Sequence, residues 1–375
     1  MNKKQIYYII AEILSLDFRR ENAQAIIQNF PKRKEDWEKL VHLASNHLVL
    51  QTVFCSLKRN DLINSLPTDL SDYLQYIYNL NVERNKGIVH QAKVISDIFQ
   101  RDGIANVFLK GTGNIFDDLY GDIGERILYD IDILVEEGEM ISAVEALMEN
   151  GYKPKKSFNP KASKSTMHYP LLVNEEYVAG VEIHRLPVQY HYINAFSHDR
   201  VFESKKKSSS YSGIWVMSDS NKVVHNFIHS QLMHNAHYHA DVSLRDLYDL
   251  LMLSKRIDIT STLKDFGRFI GASNGYSGLM YKVFQLPKPS NHSTSVSGNL
   301  FLCRHRLTLC FSGRVMSIYH FLVRASIKYV ALPIRVMFSK NARNYVFSRL
   351  SRKSWYREHI NAYKRKYFKS KEDLE

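Results

Sequence analysis

Two carboxylates spaced two residues apart, Asp130 and Asp132, interrupt the apolar run 128–135, and a Lys110-Gly111-Thr112 turn precedes them. On a strand, side chains i and i+2 point the same way, so both aspartates share one face while Ile131 and Ile133 enter a core. Two charges in so apolar a strand are costly to bury unless something compensates, and a divalent cation would do so. A third carboxylate is expected from a neighbouring strand. Glu182 in the run 180–184 is the candidate, with His184 on the same face two residues later. A glycine turn feeding a helix can receive phosphate on its backbone amides, which nominates Gly111 and Thr112. Lys110 and Arg126 would add positive charge beside a triphosphate. These parts suit metal-assisted nucleotidyl transfer, an in-line attack on an α-phosphorus that expels pyrophosphate. Asp130, Asp132 and Glu182 are the expected metal ligands, with Mg²⁺ or Mn²⁺ as the ion.

No single motif here is specific, because Asp-x-Asp and Lys-Gly-Thr recur on ordinary strands and turns. Their order carries the reading: strand, glycine turn, helix, strand with two aspartates, helix, strand with a glutamate. Five histidines (His225, His229, His234, His237 and His239) crowd one later segment. His225 and His229 are four apart and share a helix face, as zinc ligands do, but no His-Glu-x-x-His pattern accompanies them. His229 and His234 are expected at the cleft, facing an acceptor or phosphates. His184 is a candidate base for an acceptor hydroxyl, and Arg245 is expected to meet Asp249. No P-loop, dinucleotide fingerprint or nucleophilic triad is present.

The elements around these residues change character along the chain. Residues 1–100 have helical periodicity, with breaks at Pro31 and Pro67. From about 104 to 218 the pattern alternates: a buried strand ending at Gly111, a helix over 113–127, the aspartate strand, a helix capped by Gly151, then short strands to Met217. Residues 219–285 are helical again and open on Ser/Asp capping chemistry. A polar stretch, 286–300, reads as a linker before a basic helical segment, 301–375. The fold class expected is α+β, an α/β core with helical regions on both sides.

Charge is unevenly spread. Of the net +13, residues 301–375 hold 17 Lys/Arg against 4 Asp/Glu, leaving 34 against 34 in residues 1–300. A balanced catalytic part argues for a small acceptor rather than a long nucleic acid. The basic, aromatic C-terminal segment suits an anionic partner, either a membrane surface or nucleic acid. The N-terminal apolar run is broken by Glu12 and reads as an amphipathic helix rather than a signal peptide. Three scattered cysteines argue against a disulfide framework. A cytoplasmic protein, peripheral to the inner face of a membrane if the basic segment binds there, is the expectation.

The run LKGTGN, the Arg four residues before the first Asp in RILYDIDILV, the Gly-Tyr after a helix and the later VEIH resemble nucleotidyltransferases with a DNA-polymerase-β-like fold. More narrowly they resemble a bacterial branch whose members commonly accompany polysaccharide-biosynthesis genes. The likeness extends from Trp37 to Leu253. It implies Asp130 and Asp132 as the metal-binding pair, Glu182 as the third carboxylate, and Gly111 with Thr112 as the glycine-turn signature. Lys110, Arg126, His229 and His234 match positions typical of the branch. The wider superfamily has Gly-Ser where this chain has Gly111-Thr112, and its turn lies closer to the aspartates than the 19 residues here. An NTP donor and a small or carbohydrate-like acceptor are implied. The rivals are nucleotidyl modification of a protein or tRNA, as in toxin-like relatives, and a binding or scaffold protein that has lost the chemistry.

Overall fold

The apolar runs between residues 106 and 216 assemble into one mixed sheet. The computed structural model describes residues 1–19, 23–156, 166–264, 266–292, 295–311 and 313–338, with 343, 346 and 347. Its strands are β1 (Asn106–Phe108), β2 (Asp130–Val135), β3 (Lys153–Pro154), β4 (Leu172–Val173), β5 (Gly180–His184), β6 (Lys206–Lys207) and β7 (Trp215–Val216), in spatial order β3-β4-β5-β2-β1-β7-β6. β1 runs antiparallel to β2, and β5 runs parallel to it in a register that sets Asp132 opposite Glu182. Ile131 and Ile133 are fully buried, as the alternation requires, and the aspartates take the other face.

Among the described residues, the helices that precede the sheet are α1 (Lys3–Leu14), α2 (Ala23–Asn29), α3 (Lys34–Asn46), α4 (Leu50–Arg59) and α5 (Thr68–Arg101). A capping box between Asn2 and Gln5 starts α1, and Pro67 starts α5. Within the sheet region lie α6 (Lys110–Phe116), α7 (Met140–Glu149) and α8 (His198–Glu203). The expected helix over 113–127 therefore stops early. Asp118 takes a left-handed φ of 49°, and the Asp122 carboxylate accepts from the Gly124 amide, so the chain turns instead of continuing. Gly151, at φ 86°, terminates the chain's exit from α7 as expected.

After the sheet come α9 (Asp219–Phe227), a π-helical turn (Ile228–Met233), α10 (Ala236–His239), α11 (Leu244–Leu253), α12 (Ile259–Thr262), α13 (Ile270–Val283) and α14 (Val296–Thr308). Ser218, Ser243 and Ser295 cap α9, α11 and α14. The polar stretch expected as a linker, 286–300, already turns into α14 at Val296, where Gly298 packs against Gly275 of α13. A last rod consists of α15 (Gly313–Ser326), a π segment (Ile327–Ala331) and α16 (Leu332–Phe338). Residues 348–375, the far end of the basic segment, lie outside the described residues. Among the described residues no single helix is long and apolar enough to cross a membrane.

The 34-residue α5 does most to position the site. Its buried Asn85 donates to the carbonyls of Ile123 (2.6 Å) and Arg126 (2.7 Å), and Asn81 donates to Gly124 (2.8 Å). Arg84 reaches the Leu128 carbonyl, and Thr52 of α4 reaches that of Glu125. The loop that delivers β2 is thus held by side chains from the N-terminal helices. Each such bond contributes about 1 kcal/mol net, and leaving the carbonyl orphaned costs about 1–3 kcal/mol.

Candidate active site at the carboxylate strands

β2 and β5 lie side by side and parallel, so Asp130, Asp132 and Glu182 project from one sheet face. Asp132 is only 2% exposed. Lys110 Nζ lies 2.6 Å from its Oδ1, and His184 Nε2 lies 2.9 Å from the same oxygen and 3.3 Å from Glu182 Oε2. Burial alone would push the Asp132 carboxyl up, but the Lys110 charge and the His184 hydrogen bond hold it well below the usual range. Among the described residues Asp130 has no such partner. Burial, and then the repulsion of Asp132, push its carboxyl up to about 6.

The turn before α6 is tightly specified. The Leu109 amide donates to the Asp132 carbonyl at 2.9 Å, tying the turn to β2. Lys110 follows with a left-handed φ of 47°, which a lysine adopts only when its surroundings enforce it. A Cβ on Gly113 would stand 2.4 Å from the Phe108 carbonyl oxygen, so only glycine fits there. Gly113 is a requirement that reading the motif as Lys-Gly-Thr missed. Thr112 is buried, and its hydroxyl donates to the Asp130 carbonyl at 3.2 Å. That side chain braces the turn and does not face the cleft.

The cleft in front of the carboxylates has a volume of about 440 Å³ and is lined by Lys110, Gly111, Arg126, Asp130, Asp132 and Glu182, and across from them by His229, His234 and Arg245. A larger groove of about 680 Å³ between α3 and the start of α5 lies away from these groups. The π turn after α9 shapes the opposite wall. Its extra residue per turn brings His229 and His234, five apart, to an Nε2–Nε2 distance of 3.2 Å, so one ring donates to the other. Burial, then the charge of Lys110, keep the His229 imidazole well below its usual range and hence neutral. His225 is engaged elsewhere, its Nε2 meeting the Pro187 carbonyl at 3.0 Å.

Three expected side chains sit differently from the sequence reading. Arg126 is buried in a bidentate pair with Asp249 of α11, Nε to Oδ1 at 3.0 Å and Nη2 to Oδ2 at 3.0 Å, and Tyr120 donates to the same carboxylate at 2.7 Å. Its guanidinium is committed to holding α11 on the core. Arg245, expected beside Asp249, pairs with Asp246. His184 is fully buried beneath the carboxylates rather than on the cleft wall.

Among the described residues the donor atoms that come within 4.8 Å of one another belong to Asp132, Glu182 and His184. Asp130, one of the three expected ligands, stands outside that set, while Asp132 is engaged by Lys110 and His184. Among the described residues the buried Nδ1 of His184 has no partner. A histidine that ligates a metal normally donates its other N–H, and here no acceptor awaits that proton. The proton therefore belongs on Nε2, where it serves the two carboxylates. The oxygens of Asp132 and Glu182 are of the kind a hard divalent cation takes, with His184 orienting them.

A family model described as an uncharacterised nucleotidyltransferase matches residues 33–264, well over half of the chain. This chain is a member of that family. No curated protein and no solved structure matches it. The nucleotidyltransferase family match spans the sheet, the α5 clamp and the histidine wall together, so all the groups that line the cleft fall inside it. It ends at residue 264, before α13, α14 and the C-terminal rod.

Proposed function

We propose that this chain is a metal-dependent nucleotidyltransferase that moves a nucleoside monophosphate from an NTP onto a small or carbohydrate-like acceptor. The observation that carries the reading is the concentration of negative charge at adjacent parallel strands: three carboxylates face one lysine and one histidine, whose imidazole, though burial alone would lower it, is held above its usual range by Asp132 and Glu182. We read the mixed sheet as a DNA-polymerase-β-like core spanning 101–218. Residues 1–100 and 219–285 are its helical flanks, and 301–375 is a basic appendage.

In this reading Asp130, Asp132 and Glu182 hold Mg²⁺ or Mn²⁺, and the ion supplies charge neutralisation at the α-phosphate and activation of the acceptor oxygen. The acceptor oxygen attacks the α-phosphorus, the bond to the bridging oxygen breaks, and pyrophosphate leaves. With an ion held by the carboxylates, Lys110 would be available to direct its ammonium to the phosphates. The first-turn amides of Gly111 and Thr112 lie beside it. The neutral His229–His234 pair on the far wall takes the acceptor's proton, a role that buried His184 is not placed to fill. A cleft of about 440 Å³ suits a nucleotide and a small acceptor, and the charge balance of residues 1–300 favours a sugar-like acceptor over a polyanion.

The test is calorimetric binding of each of the four NTPs with and without Mg²⁺, to wild type and to Asp130→Asn/Asp132→Asn. Mg²⁺-dependent binding of one NTP that the double variant loses is the expected result. Equal binding by both proteins would remove the carboxylates from the reaction.

A further inference from the structure

The rod at the C-terminal end of the described chain is a helix whose outward face is apolar. Its α15 half is fastened to the body along one side. Met316 is buried, the Tyr319 hydroxyl meets the Tyr238 carbonyl at 3.4 Å, His320 lies 3.5 Å from Asp241, and Arg324 Nε lies 3.4 Å from His239. The other side turns away. Val315, Ile318, Leu322 and Tyr329 follow one another at spacings of 3, 4 and 7 residues, which places them on one stripe. Their exposure runs from 45% at Val315 to 63% at Tyr329, and Met337 farther along reaches 72%. Side chains of this kind are normally covered.

The charge beside the stripe is of one sign. Arg314, Arg324 and Lys328 recur at spacings of 10 and 4, a second stripe alongside the first. From Val296 to Phe338 there is no acidic residue at all. The preceding helix α14 repeats the pattern in miniature, exposing Val296, Leu300 and Leu307. A partner must therefore accept aliphatic side chains and carry negative charge. A second copy of the rod would set like charges against each other. A nucleic acid would satisfy the arginines but leave the aliphatic stripe wet. An anionic lipid surface satisfies both, because apolar side chains enter the acyl boundary while Lys/Arg stay among the headgroups.

We propose that residues 313–338 dock the protein in the plane of an anionic membrane, with Val315, Ile318, Leu322 and Tyr329 inserted and Arg314 and Lys328 at headgroup level. This goes beyond the nucleotidyl-transfer reading and does not depend on it. The experiment is flotation of the full chain with phosphatidylcholine vesicles and with vesicles containing phosphatidylglycerol, at low and high salt. Wild type is expected to float with the anionic vesicles only, and less at high salt. Ile318→Glu/Leu322→Glu, at exposed positions that leave the far-UV circular dichroism unchanged, is expected to bind roughly a hundredfold more weakly. Arg314→Gln/Lys328→Gln is expected to bind about thirtyfold more weakly. Failure of wild type to float, or equal flotation of wild type and both variants, would overturn the proposal. So would a dimer in sedimentation equilibrium that the glutamates dissolve, which would assign the stripe to a second copy. RNA binding lost with the same changes would assign it to nucleic acid.

Discussion

Two sets of buried carboxylates in this molecule follow opposite rules. Asp249 and Glu125 each face a guanidinium in bidentate geometry, Arg126 for the first and Arg59 for the second, and each also accepts from a tyrosine hydroxyl, Tyr120 or Tyr248. Each of these two carboxylates has a guanidinium and a hydroxyl donor, although Arg59 also reaches Asp17. At the β2–β5 face, Asp130, Asp132 and Glu182 share the Lys110 ammonium and the His184 imidazole, and burial, then the repulsion of Asp132, push the Asp130 carboxyl up to about 6. The matched set is what a protein builds to hold α4, α11 and the core together. In the function proposed above, the unmatched set would be neutralised by a bound divalent cation, whereas the matched set is satisfied within the protein.

The comparison breaks most visibly at Asp132. Asp132→Asn is expected to lower turnover by a factor on the order of a thousand or more, followed as pyrophosphate release, while the urea midpoint stays within reach of wild type. On the matched side the effect should be on folding. Arg126→Leu strands Asp249 in the interior and should cost about 3–5 kcal/mol in urea unfolding. Arg126→Lys should recover only part of this, because an ammonium cannot make the bidentate pair. If the lysine variant kept full stability yet lost NTP binding, Arg126 would have to be returned to the nucleotide site. A smaller loss, about 1–3 kcal/mol, is expected for Asn85→Ala, which orphans the Ile123 and Arg126 carbonyls.

The smallest effect sharpens the contrast by reversing its sign. Because the folded-state pKa of Asp130 lies above the ordinary 3.8, the folded chain holds this proton more tightly than the unfolded chain. Asp130 therefore lowers stability as pH rises from about 4 to about 6. Without divalent ions, Asp130→Asn should stabilise the fold by about 1 kcal/mol near neutral pH, after allowance for solvent screening, with no gain below about pH 4. Urea titrations at the two pH values would check it. A destabilised variant at neutral pH would mean that Asp130 has a cationic partner.

What could be read from the sequence was whatever depends on neighbours in the chain. Alternation of period two put Ile131 and Ile133 in the core and the aspartates opposite, and the mixed α+β class followed from the change of periodicity near residue 104. Apolar flanks also drew attention to Glu182. The misreadings arose where a distant partner decides. Arg126 looked free because Asp249 is 123 residues away, and His184 looked available because nothing local shows that two carboxylates already claim it. The early end of α6 depends on a left-handed Asp118 that helical periodicity does not reveal. Asn81 and Asn85 left a faint signal, being two poor helix formers in mid-helix four residues apart.

The reach of α5 bears on where this protein could be divided. Gln91 joins α5 to the Ala179 carbonyl just before β5, and Ser96 meets the Gly213 carbonyl just before β7, while Asn81 and Asn85 secure the approach to β2. One helix therefore touches the lead-in to three strands of the sheet. A chain cut at residue 101 would keep every catalytic candidate and lose the jig that aligns them. The smallest piece of this protein able to react is accordingly larger than the piece that contains its chemistry, and shuffling or trimming that respects only the sheet should yield a chain that fails to assemble.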